Sequence, residues 1–198
     1  MEISAGMVRD LREKTGAGMM DCKKALQDTQ GNMDKALDLL RQKGLAKAMK
    51  RAGKTASEGM VHAYIHGAGR IGVLVEVNCE TDFAAKSEDF VEFTRNIAMH
   101  IAASSPLGVE RDQIPAEVIE RERAIYMAQA RESGKPENIL EKMVEGKMRK
   151  FYEEVVLLEQ KYVKDPEKTV QDYLNELTAK IGEKIFIRRF TRYQLGGE

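Results

Sequence analysis

The sequence predicts an α+β protein: a small N-terminal three-helix module, then a core in which a three-stranded antiparallel sheet packs with helices and carries a helical hairpin. Three observations lead there. Apolar residues recur at helical spacing in three short bursts before residue 44, a period-two alternation runs from residue 60 to 78, and helical spacing then returns until a β-branched, aromatic and basic segment closes the chain.

Taken in order, Ile3, Met7 and Leu11 repeat every four residues, Met19, Cys22 and Leu26 follow at i, i+3 and i+7, and Met33, Ala36, Leu37 and Leu40 make the third stripe. Gly16 and Gly18 separate the first two helices. Gly31 precedes Asn32, an N-cap for the third, which Gly44 can close. So small a core suits a docking surface better than a housing for chemistry. Residues 45–58, LAKAMKRAGKTASE, extend the helix into a basic linker, so the expected division is 1–54 for the N-terminal module with its linker helix and 55–198 for the core.

The core opens on a β-hairpin. Val61, Ala63 and Ile65 alternate, then Ile71, Val73, Val75 and Val77, with Gly67-Ala68-Gly69 between, which predicts one buried face. A helix from about Ser87 is supported by Phe90, Phe93, Ile97 and Ile101 and ends before Pro106. Pro115 restarts the chain, and helical segments at about 116–133 and 137–162 flank Gly134-Lys135-Pro136, predicting a helical hairpin over about 116–162 with Ile139, Met143, Phe151, Val155 and Leu158 along one side. Asp165-Pro166 reads as an N-cap and a first-turn proline for a helix bearing Val170, Leu174, Leu177 and Ile181, stopped by Gly182. KIFIRRFTRYQL is expected to be a third strand pairing with the early hairpin.

Composition excludes several classes of function. Lys plus Arg and Asp plus Glu both number 32, so no net field gathers nucleic acid or anionic lipid. No apolar run approaches the roughly 18 to 20 residues of a membrane span, and the N-terminus lacks a signal-type apolar stretch, so a cytoplasmic home is expected. Cys22 and Cys79 have no CxxC spacing, and His62 and His66 on a strand read as solvent-facing sheet residues; neither set argues for a metal, and no cofactor is expected. Phosphate-binding glycine loops and a Gly-x-Ser-x-Gly elbow are absent.

Two places hold residues that a core does not require. In TGAGMMDCKKAL the core stripe leaves Met20, Lys23 and Lys24 outward, where Met20 either covers a helix crossing or offers a flexible apolar contact to another protein. In Cys79-Glu80-Thr81-Asp82-Phe83-Ala84, directly after a strand, a carboxylate stands beside a bulky aromatic. Phe83 either joins the stripe of Phe90, seven residues on, or faces solvent ahead of a fresh N-cap at Ser87.

TGAGMMDCKKAL at 15–26, EVNCETDF at 76–83 and KIGEKIFIRRF at 180–190 together resemble elongation factor Ts, the guanine-nucleotide exchange factor family of elongation factor Tu, over nearly the whole chain. The resemblance implies an N-terminal domain of the ubiquitin-associated type before an α+β core. It implies that Thr81, Asp82, Phe83 and Ala84 meet the partner's GTPase domain, the aromatic wedging between helices so that the Mg²⁺ and phosphate sites are disturbed. Arg12, Met19, Met20, Lys23 and Arg51 match positions of the N-terminal module and linker that touch the same domain, and Ile181 and Gly182 match a core contact. Two positions depart from the family, which more often has Val at 84 and Lys at 51. Longer members carry a second, degenerate copy of the core subdomain; this chain has room for one and resembles short members that act as homodimers.

The implied protein works by contact, with no catalytic residue, no metal, no membrane and no direct nucleic-acid partner. One rival is a nucleic-acid-binding, ribosome-associated factor, suggested by Arg188, Arg189 and Arg192 and by KAMKRAGK at 47–54. A third reading is an enzyme built on Cys79 or an acidic pair.

Overall fold

The computed structural model describes residues 3–15, 17–51, 54–132, 134 and 136–197, with the backbone alone at 45–51 and 138. The first helices are α1 (Ala5–Thr15), α2 (Met19–Asp28) and α3 (Met33–Arg51). Val8 and Leu11 of α1, Cys22, Ala25 and Leu26 of α2, and Ala36 and Leu40 of α3 close on one another as a single small core, with Ile3, Met7, Met33 and Leu37 half-buried around it. Asn32 caps α3 as its sequence position predicts, its Oδ1 accepting the Lys35 N–H at 3.0 Å.

Two details differ from the sequence reading. Met19 leaves the core stripe and is 60% exposed, because the incoming loop takes that place: Cys22 Sγ lies 3.7 Å from the Ala17 carbonyl and 3.9 Å from Thr15 Oγ1. Gly44 does not close α3, which continues to Arg51. It is buried where a Cβ would stand 3.3 Å from that of Ala179, so its use is close packing.

Strands β1 (Glu58–His66) and β2 (Ile71–Cys79) form the predicted hairpin, joined through Gly67, Ala68 and Gly69, all at positive φ. On β2 the period-two reading holds, with Val73, Val75 and Val77 buried. On β1 it fails: Val61 and Ile65 are each 66% exposed. Ile65 Cδ1 stands 3.4 Å from where a Gly72 Cβ would be, so it shares the face of Gly72 and exposed Leu74, opposite to Val73 and Val75.

After the four-residue α4 (Asp82–Ala85) comes α5 (Glu88–Ser104), whose Phe90, Phe93, Ile97 and Ile101 are fully buried, as their spacing predicts. Helices α6 (Ala116–Arg131) and α7 (Glu137–Val155) pack as a hairpin around Ala130, Leu140, Val144, Met148 and Phe151. Phe151 is buried and Val155 packs against this core as expected, but in the first half of α7 the inward positions are Leu140 and Val144, one residue on from the expected Ile139 and Met143, and Ile139 is exposed. The helix also stops at Val155, seven residues short of the predicted 162. There the chain turns extended and bonds to 107–109: the Leu107 N–H donates to the Val155 carbonyl, Leu157 N–H to Gly108 and Leu158 N–H to Val109.

Asp165-Pro166 does not begin a helix. Residues Asp165–Thr169 form β4, paired antiparallel with β3 (Lys161–Tyr162), and α8 (Val170–Ile181) starts only when the Val170 N–H has reached the Gln160 carbonyl. Its stripe is otherwise as predicted: Val170, Leu174 and Leu177 are buried and Ile181 half-buried. Strand β5 (Phe186–Gln194) joins the hairpin on its β2 side, completing a three-stranded antiparallel sheet in the order β1-β2-β5. The architecture is α+β.

The described residues gather into two compact units. One comprises Met1–Val61, Glu76–Thr94 and Asp172–Ile187; the other comprises His62–Val75, Arg95–Gln171 and Arg188–Glu198. In the second, fully buried His100 ties α5 to the segment before α8. Its Nδ1 accepts the Val163 N–H at 3.2 Å, so Nε2 carries the proton and donates to Gln160 Oε1 at 2.9 Å, while Gln160 Nε2 donates to the Ser104 and Glu154 carbonyls. Burial lowers the His100 pKa, with the Gln160 bond opposing, and protonation would set a donor against the Val163 N–H. The unfolded chain takes up this proton at about pH 6.5 and the folded chain only below that. Stability from this group is therefore complete above about pH 6.5 and declines as pH falls. Thermal unfolding of the wild type is expected to show a melting temperature that drops from pH 7 to pH 5, with a smaller drop for His100→Gln.

Candidate partner-binding site

At the end of β2, Val77, Asn78 and Cys79 are buried, and the chain then turns outward. Thr81, extended at φ −130° and ψ 154°, is the N-cap of α4: its Oγ1 accepts the Ala84 N–H at 3.3 Å. The far end of the turn is held by Ser87, whose Oγ donates to the Ala84 carbonyl at 2.7 Å. Ala84 and Ala85 are buried and anchor the turn; Phe83 between these ties projects into solvent, 83% exposed. The ring therefore does not share the core stripe of Phe90, and of the two sequence readings the solvent-facing one is observed. Burying so large an apolar ring is favourable, so an exposed one on a fixed turn is a candidate contact surface.

Asp82 beside it pairs with Lys86 one turn on, at 2.7 Å. The Lys86 hydrogen bond and charge hold the Asp82 pKa below the ordinary carboxylate value and raise that of Lys86, so both are charged at neutral pH. Cys79 lies beneath the turn and donates its thiol to the Thr81 carbonyl at 3.1 Å. Burial first, and then the Glu183 carboxylate, push its pKa up to about 11, so at neutral pH it is a protonated structural thiol without nucleophilic character.

The other predicted site residues fall as follows. Met19 and Met20 form the start of α2, 60% and 73% exposed, with Lys23 one turn on and also exposed; Arg12 is exposed on α1. Ile181 is the last residue of α8 and Gly182 follows at φ 79°, with open space where a side chain would stand. The Arg51 side chain lies outside the described residues. Arg12, Met19, Met20, Lys23, Thr81, Asp82, Phe83, Ala84, Ile181 and Gly182 all belong to the first compact unit, although the sequence spreads them over 170 positions.

The sequence reading missed the residues that hold the turn in place. Glu183 accepts both the Thr81 N–H, at 3.0 Å, and the Thr81 hydroxyl, at 2.7 Å. Glu80 accepts the Lys184 N–H at 2.6 Å and pairs with Lys54 at 3.0 Å. These partners lie up to 104 residues apart, beyond the reach of any local pattern. On the rival nucleic-acid reading, Arg192 is engaged with the Ala102 carbonyl and Gln194. Of the KAMKRAGK segment, only Lys54 has a described side chain.

Among the described residues no helix is long and apolar enough to cross a membrane. The elongation factor TS family model matches residues 23–197. The chain is 76% identical, over all of its length and 99% of the relative's, to elongation factor Ts of Syntrophobacter fumaroxidans. It is 63% identical to that of Desulfotalea psychrophila, over 99% of the chain and all of the relative, and 61% identical to that of Geobacter metallireducens, over 99% of the chain and 91% of the relative. With the α+β core, the Met19–Asp28 helix and the outward Phe83 turn in place, the match over nearly its full length makes this chain a member of the elongation factor Ts family of translation elongation factors.

Proposed function

We propose that the chain is a guanine-nucleotide exchange factor: it binds elongation factor Tu carrying GDP and promotes GDP release by disturbing the Mg²⁺ and phosphate site, so that GTP can bind during translation elongation. The observation that carries this reading is Phe83, an apolar ring held out in solvent on a turn capped at both ends. Residues 1–54 serve as the docking module through Arg12, Met19, Met20, Lys23 and Arg51. Thr81, Asp82, Phe83 and Ala84 form the displacing segment, and Ile181 with Gly182 adds a core contact. Ala84 takes part from beneath, as the buried anchor of the turn.

GDP is retained by backbone N–H groups on its phosphates and by the Mg²⁺ that bridges them. A factor speeds release only by binding more tightly to the state in which those contacts are broken. An acceleration of about 10³ to 10⁴ needs about 4 to 5.5 kcal/mol of differential stabilisation. Burying one Phe contributes about 1.5 to 3 kcal/mol, so the wedge needs the contacts around it. No covalent step enters, and the protein is not an enzyme in the sense of making or breaking bonds. The reading also places it in the cytoplasm, with the translation machinery.

Linkage makes the effect reciprocal: nucleotide weakens the factor's grip by the factor by which the factor weakens the nucleotide's. Calorimetric titration of the chain into nucleotide-free elongation factor Tu is expected to show tight binding that GDP with Mg²⁺ weakens by orders of magnitude. Equal affinity for both forms would overturn the proposal. We also propose that two copies assemble through the core, supported by the exposed Ile65, Leu74, Tyr193 and Leu195 of the second unit. Sedimentation is expected to give the mass of a dimer, and a concentration-independent single-chain mass would contradict it.

A further inference from the structure

Helix α4 has four residues, too few to hold its own conformation, so the aim of Phe83 depends on ties from outside the turn. The principal tie is Glu183, one residue beyond Gly182. Its Oε2 accepts the Thr81 backbone N–H at 3.0 Å and its Oε1 the Thr81 hydroxyl at 2.7 Å. With its proton committed to Glu183, the hydroxyl turns a lone pair toward the Ala84 N–H, the bond that caps α4. The neighbouring residues repeat the link in the opposite sense: Glu80 Oε1 accepts the Lys184 N–H at 2.6 Å, and Lys184 Nζ donates to the Lys54 carbonyl at 2.9 Å. Two carboxylates, each bonded to the other segment's backbone, thus clamp residues 80–81 against 183–184.

We propose that Glu183 is a positioning residue for nucleotide exchange: through Thr81 it holds the turn in one geometry before contact, so that Phe83 meets the partner already ordered. This rests on the exchange reading above. Ordering a loop on contact costs affinity, and a turn ordered beforehand avoids that cost. The requirement is for a carboxylate. Its two oxygens satisfy two donors at once, whereas a glutamine offers one oxygen and would set its NH₂ against the second donor.

Glu183→Gln is expected to lower kcat/KM for GDP release from elongation factor Tu by about tenfold, with the melting temperature of the free protein unchanged. In a Phe83→Ala background the same substitution is expected to cost nothing further, because Glu183 acts through the ring. Thr81→Val, which removes the hydroxyl and keeps the shape, gives a second route to the same loss should Glu183→Gln fold poorly. Wild-type activity in Glu183→Gln, or an equal loss with and without Phe83, would overturn the proposal.

Amide hydrogen exchange of the free protein separates this inference from the reading beneath it. In Glu183→Gln the Ala84 amide, which Glu183 does not touch, is expected to exchange faster. If the wild-type chain leaves GDP release unchanged, the exchange reading falls, and unaltered protection of Ala84 would then remove the positioning role as well.

Discussion

Phe83→Ala is expected to lower kcat/KM for GDP release from elongation factor Tu by about 10 to 10²-fold while leaving the melting temperature of the free protein unchanged. The two halves of this outcome have one cause. In the free protein the ring is 83% exposed, so its removal takes nothing from the core. As the proposed wedge it would be a buried anchor in the complex, worth about 1.5 to 3 kcal/mol, and each 1.36 kcal/mol is a factor of ten in rate. Stopped-flow release of labelled GDP over a range of factor concentrations, together with thermal unfolding of both proteins, measures both halves. A variant that unfolds early would show that the ring belongs to the fold; one that exchanges like wild type would remove the wedge.

The largest expected effect on the fold is at Gly59, early in β1. Its φ is 147°, a region that L side chains rarely adopt. A Cβ there would overlap the Val77 carbonyl oxygen and stand 2.7 Å from Asn78 Cα. Both neighbours are backbone of β2, at the place where the Asn78 amide donates to the Glu58 carbonyl, so they cannot move without breaking the pairing. Gly59→Ala is expected to cost roughly 3 kcal/mol, which for a chain of this length lowers the melting temperature by roughly 6 to 12 °C. Because β2 leads directly into the Phe83 turn, loss of exchange should accompany the loss of stability. An unchanged melting curve would mean that the strand ends can separate without penalty.

Much of the fold was legible because its elements obey local rules. The α5 stripe of Phe90, Phe93, Ile97 and Ile101, the Asn32 cap and the glycine turn of the first hairpin follow from spacing and side-chain chemistry alone. The failures share a cause in tertiary competition. Asp165-Pro166 carries strong helix-start chemistry, but pairing of Lys161–Tyr162 with 165–169 outweighs it. Helix α7 stops early because residues 155–158 find carbonyl and N–H partners at 107–109. Val61 and Ile65 alternate correctly yet occupy the outer face, since β1 offers Met60, His62 and Tyr64 as an equally plausible inner set.

The candidate site divides along the same line. Phe83 and Met20 stood out as residues that a core does not need, and the structure leaves both exposed. Ala84, carried over with its neighbours, is buried and acts as an anchor. Glu183 gave no signal, because a glutamate after a glycine at a helix end is ordinary, and its two bonds to Thr81 bridge 102 positions.

The proposed function stands or falls on whether this chain dislodges GDP from elongation factor Tu. Its most direct test is the release of fluorescent GDP from the purified GTPase, chased with excess unlabelled nucleotide, with and without the chain. The rate is expected to rise with factor concentration and to saturate about 10³-fold or more above the spontaneous rate, with a smaller gain when Mg²⁺ has already been removed. A release rate that stays at the spontaneous value at every concentration would contradict it.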